Sequence, residues 1–182
     1  MTIRVLALVG SLRAGSHNRQ LAETAIKHAP DGVTVEIYDG LGELPFYNED
    51  LDTEAGAPES AGRLRSAVSS ADAVLVFSPE YNGTMPAVLK NAIDWLSRPF
   101  GNGALQGKPT AVVGTAFGQY GGVWAQEEAR KSAGIAGAKV VDEVLLAIPH
   151  SVTRFAEVHP GSDTEVVEGL SKTLGRLVTE VA

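Results

Sequence analysis

The alternation of short apolar runs with segments of helical spacing is the feature that most constrains how this chain folds. Five apolar or β-branched runs predict strands, at residues 3–9, 33–38, 73–77, 110–115 and 139–146. Apolar residues recurring every three or four positions predict helices at 18–28, 59–71, 123–133 and 163–181. A further helix is predicted to include residues 88–96. Thr84 is expected to cap the third helix, with Pro86 in its first turn. Such alternation predicts right-handed crossovers, and therefore a parallel sheet with helices on both faces.

Length and composition fit one globular domain spanning residues 1–182. Of the 182 residues, 44% are hydrophobic and 20% are charged, and no apolar run reaches the roughly 18 residues of a membrane helix. The apolar opening stretch lacks a basic region and a small-residue cleavage site, so we expect a buried strand and a cytoplasmic protein rather than a signal peptide. The absence of cysteine excludes disulfides, thiolate catalysis and cysteine-ligated metals.

Charge and histidine spacing argue against two classes of partner. The net charge is −7 and the 15 basic residues are scattered, so nucleic acid is not an expected partner. Four histidines without ligand spacing argue against a metal site. We interpret His150 as a solvated loop residue. We interpret Asp39 as a loop residue too, although dinucleotide-binding enzymes place a ribose-binding acid after their second strand.

The segment between the first strand and the first helix is expected to bind an anion. Residues 10–18 read GSLRAGSHN. Backbone N–H groups at a helix start, together with the positive end of the helix dipole, attract anions. Ser11, Ser16 and Asn18 add short polar side chains, and Arg13 adds a positive charge. This set of donors suits the doubly charged end of a phosphate monoester.

The glycine spacing narrows the choice of phosphate ligand. The dinucleotide fingerprint Gly-x-Gly-x-x-Gly fails, because Gly10 is followed by its next glycine only at Gly15. The triphosphate-binding loop requires a lysine after its second glycine, where this chain has Ser16. A plain Gly/Ser-rich turn before a capped helix remains the structural alternative for this segment alone.

The segment after the third strand is expected to lie beside the first loop. Residues 78–86 read SPEYNGTMP, and the carboxyl ends of neighbouring parallel strands meet at one edge of the sheet. An aromatic residue next to an amide suits a flat heteroaromatic ring with polar edges. Taken alone, the segment also fits an ordinary turn.

Together the two loops resemble the NADPH-dependent FMN reductase family, which includes quinone-, chromate- and azo-reducing flavoenzymes. GSLR at 10–13, with Ser16 and Asn18, resembles the family's FMN-phosphate loop, and SPEYN at 78–82 resembles its isoalloxazine loop. KNAIDWLSR at 90–98 resembles the helix that follows in those proteins, and the glycine pair at 121–122 has a counterpart in the family. The resemblance covers about residues 5–144.

The resemblance implies a flavodoxin-like three-layer sandwich with a five-stranded parallel sheet of order 2-1-3-4-5. It implies a homodimeric or homotetrameric oxidoreductase that holds FMN and uses NADPH or NADH. A hydride would pass through flavin N5 to a quinone, flavin or similar small-molecule acceptor by a ping-pong mechanism, without a catalytic side chain. The residues assigned to the phosphate are Ser11, Arg13, Ser16 and Asn18, those assigned to the ring are Pro79, Glu80, Tyr81 and Asn82, and Thr115 and Phe117 would approach the ribityl chain or ring.

The sequence leaves alternatives open for two residues and for the function. Glu80 is either a general acid or a residue that orients its loop, through its backbone or through a bond at a helix end; hydride transfer needs no acid, which favours the second. Trp95 lies beside a core stripe, whereas the resemblance places its helix in a dimer interface that completes the flavin pocket, and we favour the interface. An FMN-binding electron carrier served by a protein partner is the main alternative function, and a non-catalytic interaction protein is another.

Overall fold

The sheet and its order agree with the prediction. The computed structural model describes residues 2–53 and 56–181. The strands are β1 (Ile3–Val9), β2 (Val33–Ile37), β3 (Ala73–Phe77), β4 (Pro109–Thr115), β5 (Lys139–Val140) and β6 (Leu146–Ile148). They pair in parallel in the order β2-β1-β3-β4-β5, and β6 also pairs with β4. The flavodoxin-like order 2-1-3-4-5 is therefore confirmed.

The helices lie on both faces of this sheet. They are α1 (His17–Lys27), α2 (Glu59–Ser70), α3 (Ala87–Leu96), α4 (Val123–Ile135), α5 (Ser151–Arg154) and α6 (Thr164–Thr179). The five predicted helices are present within a few residues of their expected bounds, and the short helix α5 was not predicted. Across residues 2–53 and 56–181, no helix is long and apolar enough to cross a membrane.

The sheet has a core on each face, because successive strand residues point to opposite sides. On β1, Val5 and Ala7 pack with α1 and α6, whereas Leu6 and Leu8 pack with α2, α3 and α4. The apolar stripe of α6 accounts for much of the first core through residues such as Leu170. Both faces are covered, which explains why the central strands read as continuous apolar runs.

The predicted fifth strand at 139–146 is wrong as a single element. It is divided into β5 and β6, which pair with the first and last residues of β4 respectively. Between them, Val141 accepts a hydrogen bond from Val144 N–H at 3.2 Å, which closes a turn over the exposed pair Asp142 and Glu143. Acidic residues are poor strand formers and favour turns, which explains the interruption.

The strand ends deliver three loops to one edge of the sheet. Gly10 N–H donates to the Phe77 carbonyl at 2.8 Å, and Ser78 N–H donates to the Val113 carbonyl at 2.9 Å. At Gly114, a Cβ atom would lie 2.1 Å from the Ser78 carbonyl oxygen, so only glycine permits this close approach of β4 to the loop after β3. The loops that begin at residues 10, 78 and 116 are therefore neighbours, as the sequence predicted for the first two.

Candidate active site

The first loop ends in a capped helix. Ser16 N–H donates to the Arg13 carbonyl at 3.2 Å, which forms a turn, and the buried Ser16 hydroxyl accepts from Arg19 N–H at 3.3 Å. The first amides of a helix have no partner within it, and Ser16 satisfies only one of them. The amides of His17 and Asn18 therefore lie at the open, positive end of α1. Ser16 contributes to this anion site chiefly by fixing the start of the helix.

The positive charge of Arg13 lies near the N-terminus of α1. Arg13 is exposed, and in the described part of the chain its guanidinium makes one hydrogen bond, a long contact of 3.4 Å with the Ala14 carbonyl. Burial and the neighbouring Arg13 charge lower the pKa of His17, whose ring packs edge-on against Phe155 at 5.5 Å. A dianion placed here would therefore meet an exposed guanidinium and helix amides, with Ser11 half-buried beside them.

Asn18 joins α1 to the end of β4. Its side-chain amide donates to the Thr115 carbonyl at 2.9 Å, and its oxygen accepts from Thr115 N–H at 3.0 Å. Both residues are buried, and the Thr115 hydroxyl donates to the Ile148 carbonyl at 2.7 Å. The Asn18 side chain thus pairs with the backbone of Thr115 as a neighbouring strand would. The second hydrogen of the Asn18 amide remains for a ligand. These bonds make Asn18 a structural clamp at the base of the loop.

The second loop contains a tight two-residue turn. Tyr81 and Thr84 exchange backbone hydrogen bonds of 3.0 and 3.1 Å around Asn82 and Gly83. Asn82 has φ 53° and Gly83 has φ 76°, so both central residues adopt the left-handed conformation. Asn-Gly is the preferred pair for this type of turn, which explains the local sequence. The turn leaves the Tyr81 side chain about half exposed at 52%.

Side chains tie this turn to α4. The Glu80 carboxylate accepts from Ala125 N–H at 3.2 Å, at the first turn of α4, and the Thr84 hydroxyl donates to the Glu128 carboxylate. Of the two roles left open for Glu80, the bond at a helix end is the one present. The expectation that Thr84 caps α3 is wrong, because α3 starts at Ala87 with Pro86 as its N-cap and the Thr84 hydroxyl is engaged elsewhere.

Exposed aromatic side chains surround the third loop. Phe117 is 74% exposed, and Tyr120 and Trp124 lie in contact with their ring centroids 5.2 Å apart. The glycine pair between Tyr120 and Val123 brings the start of α4 close to the sheet, since a Cβ atom at Gly121 would lie 2.6 Å from the Ala147 carbonyl carbon of β6. Gly122 is the N-cap of α4, with φ 84°. Tyr120, Trp124 and His17 were not predicted as site residues. Aromatic residues on both sides of a glycine pair were the available signal.

The predicted site residues form a shared edge, with differences in exposure. A Cβ atom at Gly10 would approach Pro79 Cδ to 3.3 Å, which shows how closely the first and second loops pack. Ser16, Asn18 and Thr115 lie buried beneath this edge, whereas Arg13, Tyr81, Asn82 and Phe117 are exposed on it. His150 and Asp39 are exposed loop residues, as predicted, and Asp39 pairs with Arg19 at 2.6 Å.

Grooves run along the outer faces of α3 and α4. Two adjoining grooves of about 550 and 560 Å³ share Lys90, Ser132 and Ile135 in their walls. The second groove also reaches the turn at Tyr81. Trp95 faces the other way and is fully buried, so this side chain packs in the core. The outer face of α3 carries an ion pair between Lys90 and Asp94, at 2.6 Å.

Comparison with known proteins identifies the family. The family model described as NADPH-dependent FMN reductase matches residues 3–153, which is most of the chain. The chain belongs to the NADPH-dependent FMN reductase family. A 2-hydroxy-1,4-benzoquinone reductase from Burkholderia sp is 37% identical over 85% of this chain and 83% of its own length. A quinone reductase from Pseudomonas putida is 46% identical over 70% of this chain and 68% of its own length.

A solved structure supports the same family assignment. The flavoenzyme NAD(P)H:(acceptor) oxidoreductase FerB from Paracoccus denitrificans superposes with a TM-score of 0.87 at 33% identity, over 99% of this chain and 97% of that one. An azoreductase from Bacillus anthracis is only 17% identical, with a TM-score of 0.61, and shows the shared fold alone. The names of the family and of these relatives describe reductases of FMN or of quinones, some of them dependent on NAD(P)H.

Proposed function

We propose that this protein is an NAD(P)H-dependent FMN oxidoreductase that reduces a quinone, a flavin or a similar small acceptor. The observation that carries the proposal is the exposed Arg13 guanidinium at the open N-terminus of α1, whose one hydrogen bond to the described residues is the long contact with the Ala14 carbonyl. This arrangement suits one terminal phosphate, the group that distinguishes FMN from riboflavin. The family of the chain and the names of its quinone-reducing relatives support the same function. We take residues 1–182 as one domain of a cytoplasmic protein.

The residues at the carboxyl edge of the sheet form two groups, one that would contact the phosphate of FMN and one that would contact its ring. Arg13, Ser11 and the first amides of α1 would bind and neutralise the phosphate, while Ser16 and Asn18 hold that loop in shape. At the other end, Pro79 and Tyr81 would flank the ring, Asn82 would offer a polar edge, and Glu80 would anchor this loop. Thr115 and Phe117 would lie between or beside them. The set contains the donors and the flat surfaces that FMN requires, so the residues fit the cofactor.

Little chemistry remains for the side chains. Bound FMN supplies two-electron transfer at N5, taking a hydride from NAD(P)H and giving it to the acceptor. The chain orients the ring, and the half-exposed Tyr81 and the exposed Phe117 would shield its surroundings from water. An open edge that serves donor and acceptor in turn leads to ping-pong kinetics. Initial rates at several fixed quinone concentrations should then give parallel double-reciprocal lines, whereas intersecting lines would exclude a shared site.

The decisive experiment is an anaerobic reduction followed by visible absorbance. The purified protein is saturated with FMN, and the unbound FMN is removed. One sample is then mixed with NADPH and another with NADH. We expect retained yellow colour that bleaches rapidly with at least one donor and returns when a benzoquinone is added. Colour that neither donor bleaches would indicate an electron carrier instead. No retained colour would contradict the assignment of the phosphate loop.

Replacing Arg13 with alanine should weaken FMN binding by about 1.5–3 kcal/mol, the range for a hydrogen bond to a charged group. Titration of the apoprotein by flavin fluorescence measures this change. Lys27→Ala is the matched control, since it removes an exposed positive charge from the other end of α1. Riboflavin, which lacks the phosphate, should bind wild type and Arg13→Ala equally. Equal FMN affinity for wild type and Arg13→Ala would show that the phosphate lies elsewhere.

A homodimer or homotetramer completes the proposal. The grooves along α3 and α4 are bordered by Phe100 and Ile135, which are 89% and 78% exposed. Exposed apolar side chains that border the same groove are typical of a surface covered in an assembly, whereas scattered single ones are not. Sedimentation velocity at working concentration should therefore give at least a dimer, and replacement of Ile135 by glutamate should shift it toward monomer. Monomer alone in the wild type would remove this part of the proposal.

A further inference from the structure

Glu80 belongs to the loop proposed to flank the flavin ring, yet its carboxylate is committed to the protein. Its oxygen accepts from Ala125 N–H at 3.2 Å, and Ala125 is the third residue of α4. A helix start leaves its first amides unpaired, and short polar side chains at the N-cap normally satisfy one of them. Here the N-cap is Gly122, which has no side chain, and no acidic residue occupies the first turn of α4. Glu80 supplies the missing acceptor from a different loop.

This contact fixes the geometry of the loop. Pro79 restricts the chain just before Glu80, and the turn at Tyr81 follows immediately after it. At the far end of that turn, Thr84 bonds to Glu128 on the same helix. The turn is therefore attached to α4 at two points, one on either side of Asn82 and Gly83. Loss of the Glu80 contact would free the nearer attachment while leaving the farther one intact.

The same contact also places a negative charge against the positive end of α4. The start of a helix carries roughly half a positive charge, which a nearby carboxylate offsets. Flavin gains negative charge when it is reduced, so an unscreened helix start near the ring would favour the reduced form, and a carboxylate there opposes it. Position and charge are separable properties of Glu80, because glutamine keeps an oxygen acceptor of similar reach without the charge.

We infer that Glu80 is a positioning residue that holds the second loop, after β3, on the N-terminus of α4 and, through its charge, keeps the reduction potential of the bound flavin low. This inference rests on the proposed function, since it concerns FMN at this edge. Glu80 acts through Ala125 and the loop, and it transfers no proton in the reaction.

Two variants separate the two effects. Glu80→Gln should bind FMN within about threefold of wild type, since its amide oxygen can still accept from Ala125 N–H, but its midpoint potential should shift to a more positive value. Glu80→Ala should show the same positive shift and should also bind FMN about tenfold more weakly or worse, since the anchor is lost. Glu127→Gln is the control, because it removes an exposed charge from the same helix without touching the loop. Binding is measured by flavin fluorescence, and the potential by anaerobic spectral titration against a reference dye.

The results discriminate this inference from the proposed function. If Glu80→Gln has the midpoint potential of wild type and of Glu127→Gln, the electrostatic role is wrong. If Glu80→Ala binds FMN as tightly as wild type, the positioning role is wrong. Failure of the wild-type protein itself to bind FMN would remove the proposed function instead. Thermal unfolding of the apoproteins by circular dichroism confirms that each variant is folded before its flavin properties are compared.

Discussion

Replacing Asn18 with alanine is expected to lower the free energy of unfolding by about 2–5 kcal/mol, because two buried backbone groups lose their partners at once. Asn18 pairs with both the N–H and the carbonyl of Thr115, at 3.0 and 2.9 Å, and both residues are buried. Neither group can turn to solvent, since each belongs to the end of a central strand. Urea unfolding of the protein without FMN, followed by circular dichroism, measures the loss without a contribution from cofactor binding.

Two further variants make the Asn18 prediction specific. Asn102→Ala is the matched control, because Asn102 is exposed and its loss should change stability by no more than about 0.5 kcal/mol. In Asn18→Asp, a protonated carboxyl can both donate to and accept from Thr115, whereas the ionised form cannot donate. Facing a carbonyl in a buried site raises the pKa of the new acid, so its deficit relative to wild type should shrink as pH falls. An Asn18→Ala variant as stable as the Asn102 control would show that Asn18 does not clamp β4.

Replacing Trp95 with alanine is expected to destabilise the fold by about 3–5 kcal/mol, the range for removing a large aromatic side chain from a core. Trp95 is fully buried and packs edge-on against Tyr47 with the ring centroids 4.9 Å apart. Its indole N–H donates to the Pro45 carbonyl at 2.8 Å, and the Arg65 guanidinium lies 5.5 Å from the ring centre. The substitution therefore leaves a cavity and removes one of the bonds between α3 and the segment around Pro45, which Asn91 continues to hold.

The second tryptophan of the chain provides the control for Trp95. Trp124 is 48% exposed, so Trp124→Ala should lose less than about 1 kcal/mol. Trp95→Phe should fall between the two, with a loss of about 1–2 kcal/mol, since it keeps an aromatic ring but not the bond to Pro45. Circular dichroism serves as the probe, because fluorescence would change with the tryptophan content. Equal stability of Trp95→Ala and Trp124→Ala would contradict the core position of Trp95.

The sheet could be predicted from the sequence because its determinants are local. Runs such as Ala73–Phe77 are apolar on both faces, and helices of strong periodicity such as α6 follow from their spacing alone. The division of the fifth strand was missed because Val141 and Val144 both look like strand residues. Both are buried, as the pattern predicted, but they flank a turn rather than continue one strand. A short helix such as α5 has too few residues to show any period.

The proximity of the candidate-site loops could be predicted from the sequence, but the contacts that their residues make could be predicted less well. The loops could be placed together because parallel strands end at a common edge. Partners distant in sequence decided the rest: Asn18 bonds to Thr115, and Glu80 bonds to Ala125. No local pattern reveals such pairs. The predicted role of Arg13 depends least on such distant pairs. In the described part of the chain, its guanidinium makes only the long contact with the Ala14 carbonyl.

The turn from Tyr81 to Thr84 belongs to two surfaces at once, which has a thermodynamic consequence. One side follows the loop proposed for the flavin ring, and Tyr81, Asn82 and Thr84 also line the groove beside α4. A molecule or subunit in that groove that favours one position of the turn will change the affinity for the cofactor. Reciprocity then requires the cofactor to change the affinity of the groove by the same factor. Assembly and cofactor content of this protein should accordingly be measured as linked equilibria.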